Sequence, residues 1–223
     1  VGFSDIGIVR RGLVQSAQCA NPEGLVAGLC PGGESYMASY ALQWVPACLN
    51  YWRLTGDRTV LDELFAAAEK NVAAFDPYLT DQGITNDCPY WNFIDWGYVA
   101  NDGGSDMALN LHYMIAVQTM TRWAAELGLE DREAYYREKA AKFSGILDRY
   151  YAQYGYDWDK IGYHRTVLGM KAGLIPQQYR PAAVAFIKKH ILNCFPNNPD
   201  APRLSDPAAN NPQLITPYFS HYA

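Results

Sequence analysis

Residues 35–55 read Ser-Tyr-Met-Ala-Ser-Tyr-Ala-Leu-Gln-Trp-Val-Pro-Ala-Cys-Leu-Asn-Tyr-Trp-Arg-Leu-Thr, with no formal charge between Glu34 and Arg53. A helical pattern without charge on any side belongs in an interior, covered all round. Gly56 then supplies a C-terminal stop and Asp57 the next N-cap. The following segment, to Phe75, differs in kind. Leu61, Leu64, Phe65, Ala68, Val72 and Phe75 make one apolar stripe at helical spacing, while Asp62, Glu63, Glu69 and Lys70 lie off it. A dry helix is followed by a helix with one wet face.

The pair recurs. After Gly103-Gly104, with Ser105 as its cap and Asp106 as favourable charge in the first turn, Asp106–Leu127 carries the stripe Leu109, Tyr113, Ala116, Val117, Met120, Ala124 and Leu127. Met107, Leu111, Met114 and Ile115 cover a second side, and Gly128 ends it. Asp131–Ala152 follows, with Tyr136, Ala140, Phe143, Leu147 and Tyr150 on one stripe and acids and bases on the rest. A third, shorter pair is the nearly uncharged Thr166–Gly173 and then Gln177–Leu192, which turns Lys188 and Lys189 outward. This alternation predicts an all-α double ring, with Ser35–Thr55 and Asp106–Leu127 in an inner layer and Asp57–Phe75 and Asp131–Ala152 in an outer one. Links within each pair are short, as antiparallel neighbours require. A helical solenoid is the alternative, but its repeats would be shorter and more uniform. Leu25–Leu29 and Gly83-Ile84 allow short strands at most.

Links between pairs are long: Asp76–Gly104, Gln153–Arg165 and Asn193–Ile215. Loops of this length are where a site is built. Within the first, Asp87-Cys-Pro-Tyr-Trp-Asn-Phe-Ile-Asp-Trp-Gly97 concentrates Tyr90, Trp91 and Trp96 beside Asp87 and Asp95. An indole next to a carboxylate suits a sugar, offering a face for the C–H side of a pyranose and an acceptor for its hydroxyls. The structural alternative makes Trp91, Phe93 and Trp96 loop anchors and Asp95 a helix cap.

Composition bounds the rest. The 223 residues, 49% hydrophobic and 18% charged, describe a folded chain read as a single domain over 1–223. A net charge of −5 without a basic stripe argues against nucleic acid and anionic membranes. The least charged run contains Gln43, Asn50 and Pro46, a poor membrane span. Cys19, Cys30, Cys48, Cys88 and Cys194 show neither CxxC nor metal-ligand spacing and read as buried thiols, leaning to a reducing, cytoplasmic compartment. No signal peptide is visible, and a first residue of Val1 suggests a piece of a longer gene product.

No nucleophile elbow, phosphate loop, zinc helix or calcium loop occurs, so neither metal nor cofactor is expected. His112 reads as a core or rim histidine; His164, His190 and His221 form no spaced cluster. Paired carboxylates remain, as glycoside hydrolysis requires. Glu34, Asp81, Asp87, Asp95, Asp102 and Asp106 lie near loops, and spacing selects no catalytic pair among them.

Several runs, in order, carry a resemblance: Tyr40-Ala-Leu-Gln-Trp44, Tyr51-Trp-Arg-Leu-Thr-Gly-Asp57, Trp91-Asn-Phe-Ile-Asp-Trp96, Met107-Ala-Leu-Asn110, Ala124-Ala-Glu-Leu-Gly128 and Ile215-Thr-Pro-Tyr-Phe219. Together, from about Ser4 to Ala223, the chain resembles the bacterial α-L-rhamnosidases, glycoside hydrolase family 78. The resemblance implies a six-hairpin (α/α)6 barrel, an inverting mechanism and terminal L-rhamnose as the sugar removed from glycosides. The family's general acid lies in a Cys-Pro-Gln-Arg…Gly-Trp-x-Gly-Asp block and its base in a Trp-Glu motif; this chain contains neither. The implied piece is the middle of the barrel, about three hairpins of six. Carried over residue by residue, Asp95 and Trp96 match the family's mouth pair near the rhamnose, Trp91 neighbours them, and Tyr40 matches an aromatic facing the pocket. An unsaturated-uronide hydrolase, a glucoamylase-like enzyme or a non-catalytic carbohydrate-binding protein could share the architecture.

Overall fold

The structure, a computed structural model, describes residues 6–33, 35–95, 98, 105–191 and 219–222. Eight α-helices are present among them: α1 (Gly7–Gln18), α2 (Ala38–Thr55), α3 (Thr59–Ala73), α4 (Met107–Leu127), α5 (Glu130–Gln153), α6 (Trp158–Ile161), α7 (Tyr163–Lys171) and α8 (Arg180–Ile191). The three dry segments become α2, α4 and α7, and the three wet ones α3, α5 and α8. Helix α4 packs between α2 and α7 as the middle of an inner layer, with α3 and α5 against its outer side and α8 against α7.

Charge patterning sorts the layers correctly. Fifteen of the 21 residues of α4 are buried, against six of 24 in α5, namely Tyr136, Phe143, Ile146, Leu147, Tyr150 and Tyr151. Helix α7 is buried from Tyr163 to Gly169. Helix α2 departs from the expectation of burial all round. Leu42, Val45, Cys48 and Leu49 are buried, but Ala47 and Asn50 are exposed, and Tyr40, Gln43 and Pro46 are half-buried. Its second uncharged face lines a cavity instead of packing on a neighbour.

Each inner helix ends the same way. Gly56, Gly128 and Gly173, at φ 74°, 72° and 71°, occupy the left-handed region that a side chain disfavours. The chain there reverses into the outer helix within a few residues. Aromatic side chains lock the layers together. The Trp123 indole N–H donates to the Leu61 carbonyl at 3.2 Å, and that of Trp44 donates to Leu13 of α1 at 3.0 Å.

Three local readings need correction. Helix α1 was not anticipated; Gly12 and a short apolar stripe, of which only Leu13 is buried, conceal it. Helix α7 begins at Tyr163 rather than Thr166, directly after Gly162 at φ 85°, and α6, capped by Asp157, lies just ahead of it. Asp106, not Ser105, is the N-cap of α4: its Oδ1 accepts from the Ala108 and Leu109 amides at 2.8 and 3.2 Å. The Ser105 hydroxyl donates instead to the Thr85 carbonyl.

Asp106 also ties the preceding loop, accepting from Asn92 Nδ2 at 2.8 Å and the Tyr98 hydroxyl at 2.9 Å. A lost cap costs about 1 kcal/mol and lost bonds to a charged acceptor about as much again or more. Asp106→Ala is therefore expected to remove about 2–3 kcal/mol, lowering Tm by about 4–12 °C. Asp106→Asn, which keeps the cap, should recover much of that. A thermal melt of both variants checks it, and an unchanged Tm for Asp106→Ala would rule out this role.

Candidate functional site

Residues 91–95 join the starts of all three inner helices. The Ala38 amide at the head of α2 donates to the Trp91 carbonyl at 2.9 Å, and the Ser39 hydroxyl donates to the Phe93 carbonyl. Asn92 reaches Asp106 at the head of α4. Asp95 Oδ2 lies 2.7 Å from His164 Nε2 at the head of α7. One short strand of loop can touch all three only if these helices run parallel and open at one end. That end is the mouth of the inner layer.

Asn110 fixes the loop's approach. Its buried side chain accepts from the Thr85 amide and hydroxyl at 2.8 and 3.0 Å and donates to the Thr85 and Asp106 carbonyls. A loop anchored by a fully paired amide keeps its geometry without a strand. The isolated bridges Met37–Trp91 and Leu79–Thr85 are the extended pairings found among the described residues.

Below the mouth, α2, α4 and α7 wall a cavity of about 480 Å³, together with the end of α1 and residues Ala27 and Gly28. Its polar and aromatic lining includes Tyr40, Gln43, Asn50, His112, Lys171 and Tyr222. Pro46, which also lines it, has no N–H for the Leu42 carbonyl one turn back. No carboxylate is among the described lining residues. Burial pushes the Lys171 ammonium below its ordinary value, and its Nζ lies 4.6 Å from the Tyr222 ring centre. The Tyr222 hydroxyl is held un-ionised, burial raising its pKa well above the ordinary range.

The sequence-derived candidates occupy different places. Tyr40 lines the cavity and packs edge-on against Phe93 at 6.0 Å. Trp91 is 61% exposed and packs its edge on the same Phe93 at 5.5 Å. An aromatic row thus runs from solvent to the cavity wall. Asp95 is buried, with its carboxylate on His164 rather than in the cavity. Trp96, Glu34 and Asp102 lie outside the described residues.

Sequence reasoning passed over His164, 69 residues from Asp95. Its side chain and that of Asp95 are both fully buried. Tyr98 meets the imidazole edge-on at 5.1 Å and Phe219 at 4.5 Å, while its Nδ1 has no hydrogen-bond partner among the described residues. His112, read as core or rim, is both: it is buried, meets the cavity and packs on Tyr222. No cluster of metal-ligating side chains occurs among the described residues, and no described helix is long and apolar enough to cross a membrane.

A family model described as the bacterial alpha-L-rhamnosidase 6 hairpin glycosidase domain matches residues 4–194. The chain belongs to that family. No curated protein matches it. A family 78 rhamnosidase of Bacillus sp. GL1 is 19% identical, with a TM-score of 0.67 over 89% of this chain and 21% of its own. A Klebsiella oxytoca rhamnosidase solved with rhamnose bound is 19% identical, with a TM-score of 0.68 over 96% of this chain and 40% of its own. A Streptomyces avermitilis α-L-rhamnosidase complexed with L-rhamnose is 18% identical, with a TM-score of 0.63 over 81% and 18%. These likenesses establish the fold, and this chain spans between about a fifth and two fifths of those proteins.

Proposed function

We propose, from that membership, that the chain forms the aromatic-lined middle of an (α/α)6 glycoside hydrolase barrel that removes terminal α-L-rhamnose from glycosides with inversion. The observation that carries the reading is the mouth itself. A single loop binds three inner-helix starts and leads from the exposed Trp91 through Phe93 and Tyr40 to a cavity.

The chemistry fits a sugar. A cavity of about 480 Å³ falls within the range of small-molecule sites. Trp91 offers a flat apolar face, and Tyr40, Gln43 and Asn50 offer groups that hydrogen-bond hydroxyls. Trp91, Trp96 and Tyr40 are assigned to substrate contact. Asp95 belongs with them at the mouth, its carboxylate set by His164. The acid that protonates the leaving oxygen and the base that activates water come, in this reading, from sequence blocks absent from these 223 residues. Inversion requires the two to stand roughly 6.5–9.5 Å apart with water between them.

Proton NMR of the full-length protein acting on an aryl α-L-rhamnoside tests this. β-L-rhamnose is expected as the first product, before mutarotation. An α-configured first product would overturn inversion. Cleavage of unsaturated uronides or glucosides in place of rhamnosides would assign a different six-hairpin activity. Rhamnoside binding without release would reduce the protein to a carbohydrate binder.

A further inference from the structure

We propose that Cys19 and Cys30 form a reversible disulfide that pins the segment between them to the end of α1 and so fixes one wall of the cavity. Cys19 directly follows α1, its amide donating to the Gln15 carbonyl at 2.9 Å. The chain then loops out and returns, placing Cys30 Sγ 2.7 Å from Cys19 Sγ and 3.0 Å from the same Gln15 carbonyl. A disulfide needs sulfurs at about 2.05 Å, so closing the bond takes a shift of less than about 1 Å. Both cysteines are half-buried, open to a small oxidant, whereas Cys48 is buried.

The segment between them is already built. The Asn21 amide donates to the Leu25 carbonyl at 3.0 Å, and the Asn21 side-chain oxygen accepts from the Leu25 amide at 2.7 Å. The Val26 amide donates to buried Asn71 of α3 at 3.0 Å. Ala27 and Gly28 line the cavity, as does Ser16 of α1. The disulfide would therefore join two parts of one wall without reshaping either. The spacing hides this: eleven residues apart, the pair matches no sequence motif. Nor are these two the buried thiols that the sequence suggested.

With glutathione disulfide as the oxidant, the Cys19 thiolate attacks one glutathione sulfur and expels a glutathione thiolate. The Cys30 thiolate then attacks Cys19 Sγ and expels the second. Two S–H bonds are lost and one S–S bond forms. The two cysteines give up two electrons to the glutathione disulfide, and the two protons end on the released thiolates. Cys30 reacts second because its hydrogen bond to Cys19, with some burial, pushes its thiol up to about 11. Once Cys19 is captured, that hydrogen bond is gone.

The test uses the intact chain treated with excess glutathione disulfide, then titrated for thiols in denaturant. Five cysteines are present, so the count should fall from five to three and return to five with dithiothreitol. Peptide mapping should find Cys19 joined to Cys30. Cys30→Ser should carry glutathione on Cys19 instead. The oxidised form should melt about 5–10 °C higher, and the amides of residues 25–28 should exchange more slowly. A count that stays at five, or a cross-link through Cys48, Cys88 or Cys194, overturns the pairing. A Cys19–Cys30 bond with unchanged amide exchange overturns the pinned wall.

Discussion

The 223-residue chain on its own is expected to release no rhamnose from an aryl α-L-rhamnoside above the rate in buffer. General acid–base assistance supplies roughly 10²–10⁴-fold for each group, so losing both leaves nothing measurable over background. The resemblance puts those groups in blocks that this sequence does not contain. Asp106 is committed to capping α4 and holding Asn92 and Tyr98. Asp95 faces His164. Asp81 and Asp87 are exposed on the loop, the latter accepting from Asn86. None of the described residues lining the cavity is an acid. Steady-state assays of the purified chain beside the full-length protein decide it. Robust turnover by the chain alone would mean that its own acids, Glu34 or Asp102 among them, form the catalytic pair.

The layering was legible because charge is a direct report of exposure. The inner helix α4 keeps its two charges, Arg122 and Glu126, exposed near its end, and the outer α5 carries charge along its length. Helix α7 is the exception, burying Arg165, which donates to the Tyr150 hydroxyl at 2.6 Å. Helix α2 shows where that logic stops. Absence of charge marks a face that is not simply solvated, without saying whether packing or a cavity adjoins it. The glycine stops were equally local and equally readable. The mouth was legible in part. The aromatic cluster at residues 87–97 drew attention to the loop, but its closing contacts come from Asn110 and His164. Long-range pairs such as Asp95 with His164 leave no periodic trace, since neither residue is placed by its own helix pattern. Cys19 and Cys30 were missed for the same reason.

Removing one partner of the Asp95–His164 pair should be costly, and removing both should not. Both side chains are fully buried, with Oδ2 and Nε2 at 2.7 Å. Deleting one partner of a buried pair strands the other polar group and costs about 3–5 kcal/mol, which lowers Tm by about 6–20 °C. Asp95→Leu and His164→Leu are each expected to show that loss. The double variant replaces a buried polar pair with apolar bulk and should recover most of it, giving a coupling of about 2 kcal/mol or more. Additive losses in denaturant titrations would mean that the two groups do not act as a unit. The same double variant separates scaffold from site, because it restores the fold while removing the carboxylate. A hydrogen bond to an ionised group is worth about 1.5–3 kcal/mol. If the full-length barrel brings the sugar to Asp95 at the mouth, kcat/KM on an aryl rhamnoside should fall about tenfold to a hundredfold per folded molecule. If the folded double variant turned over at the normal rate, Asp95 would be a brace for the mouth loop, and the sugar contacts would pass to Trp91, Trp96 and Tyr40.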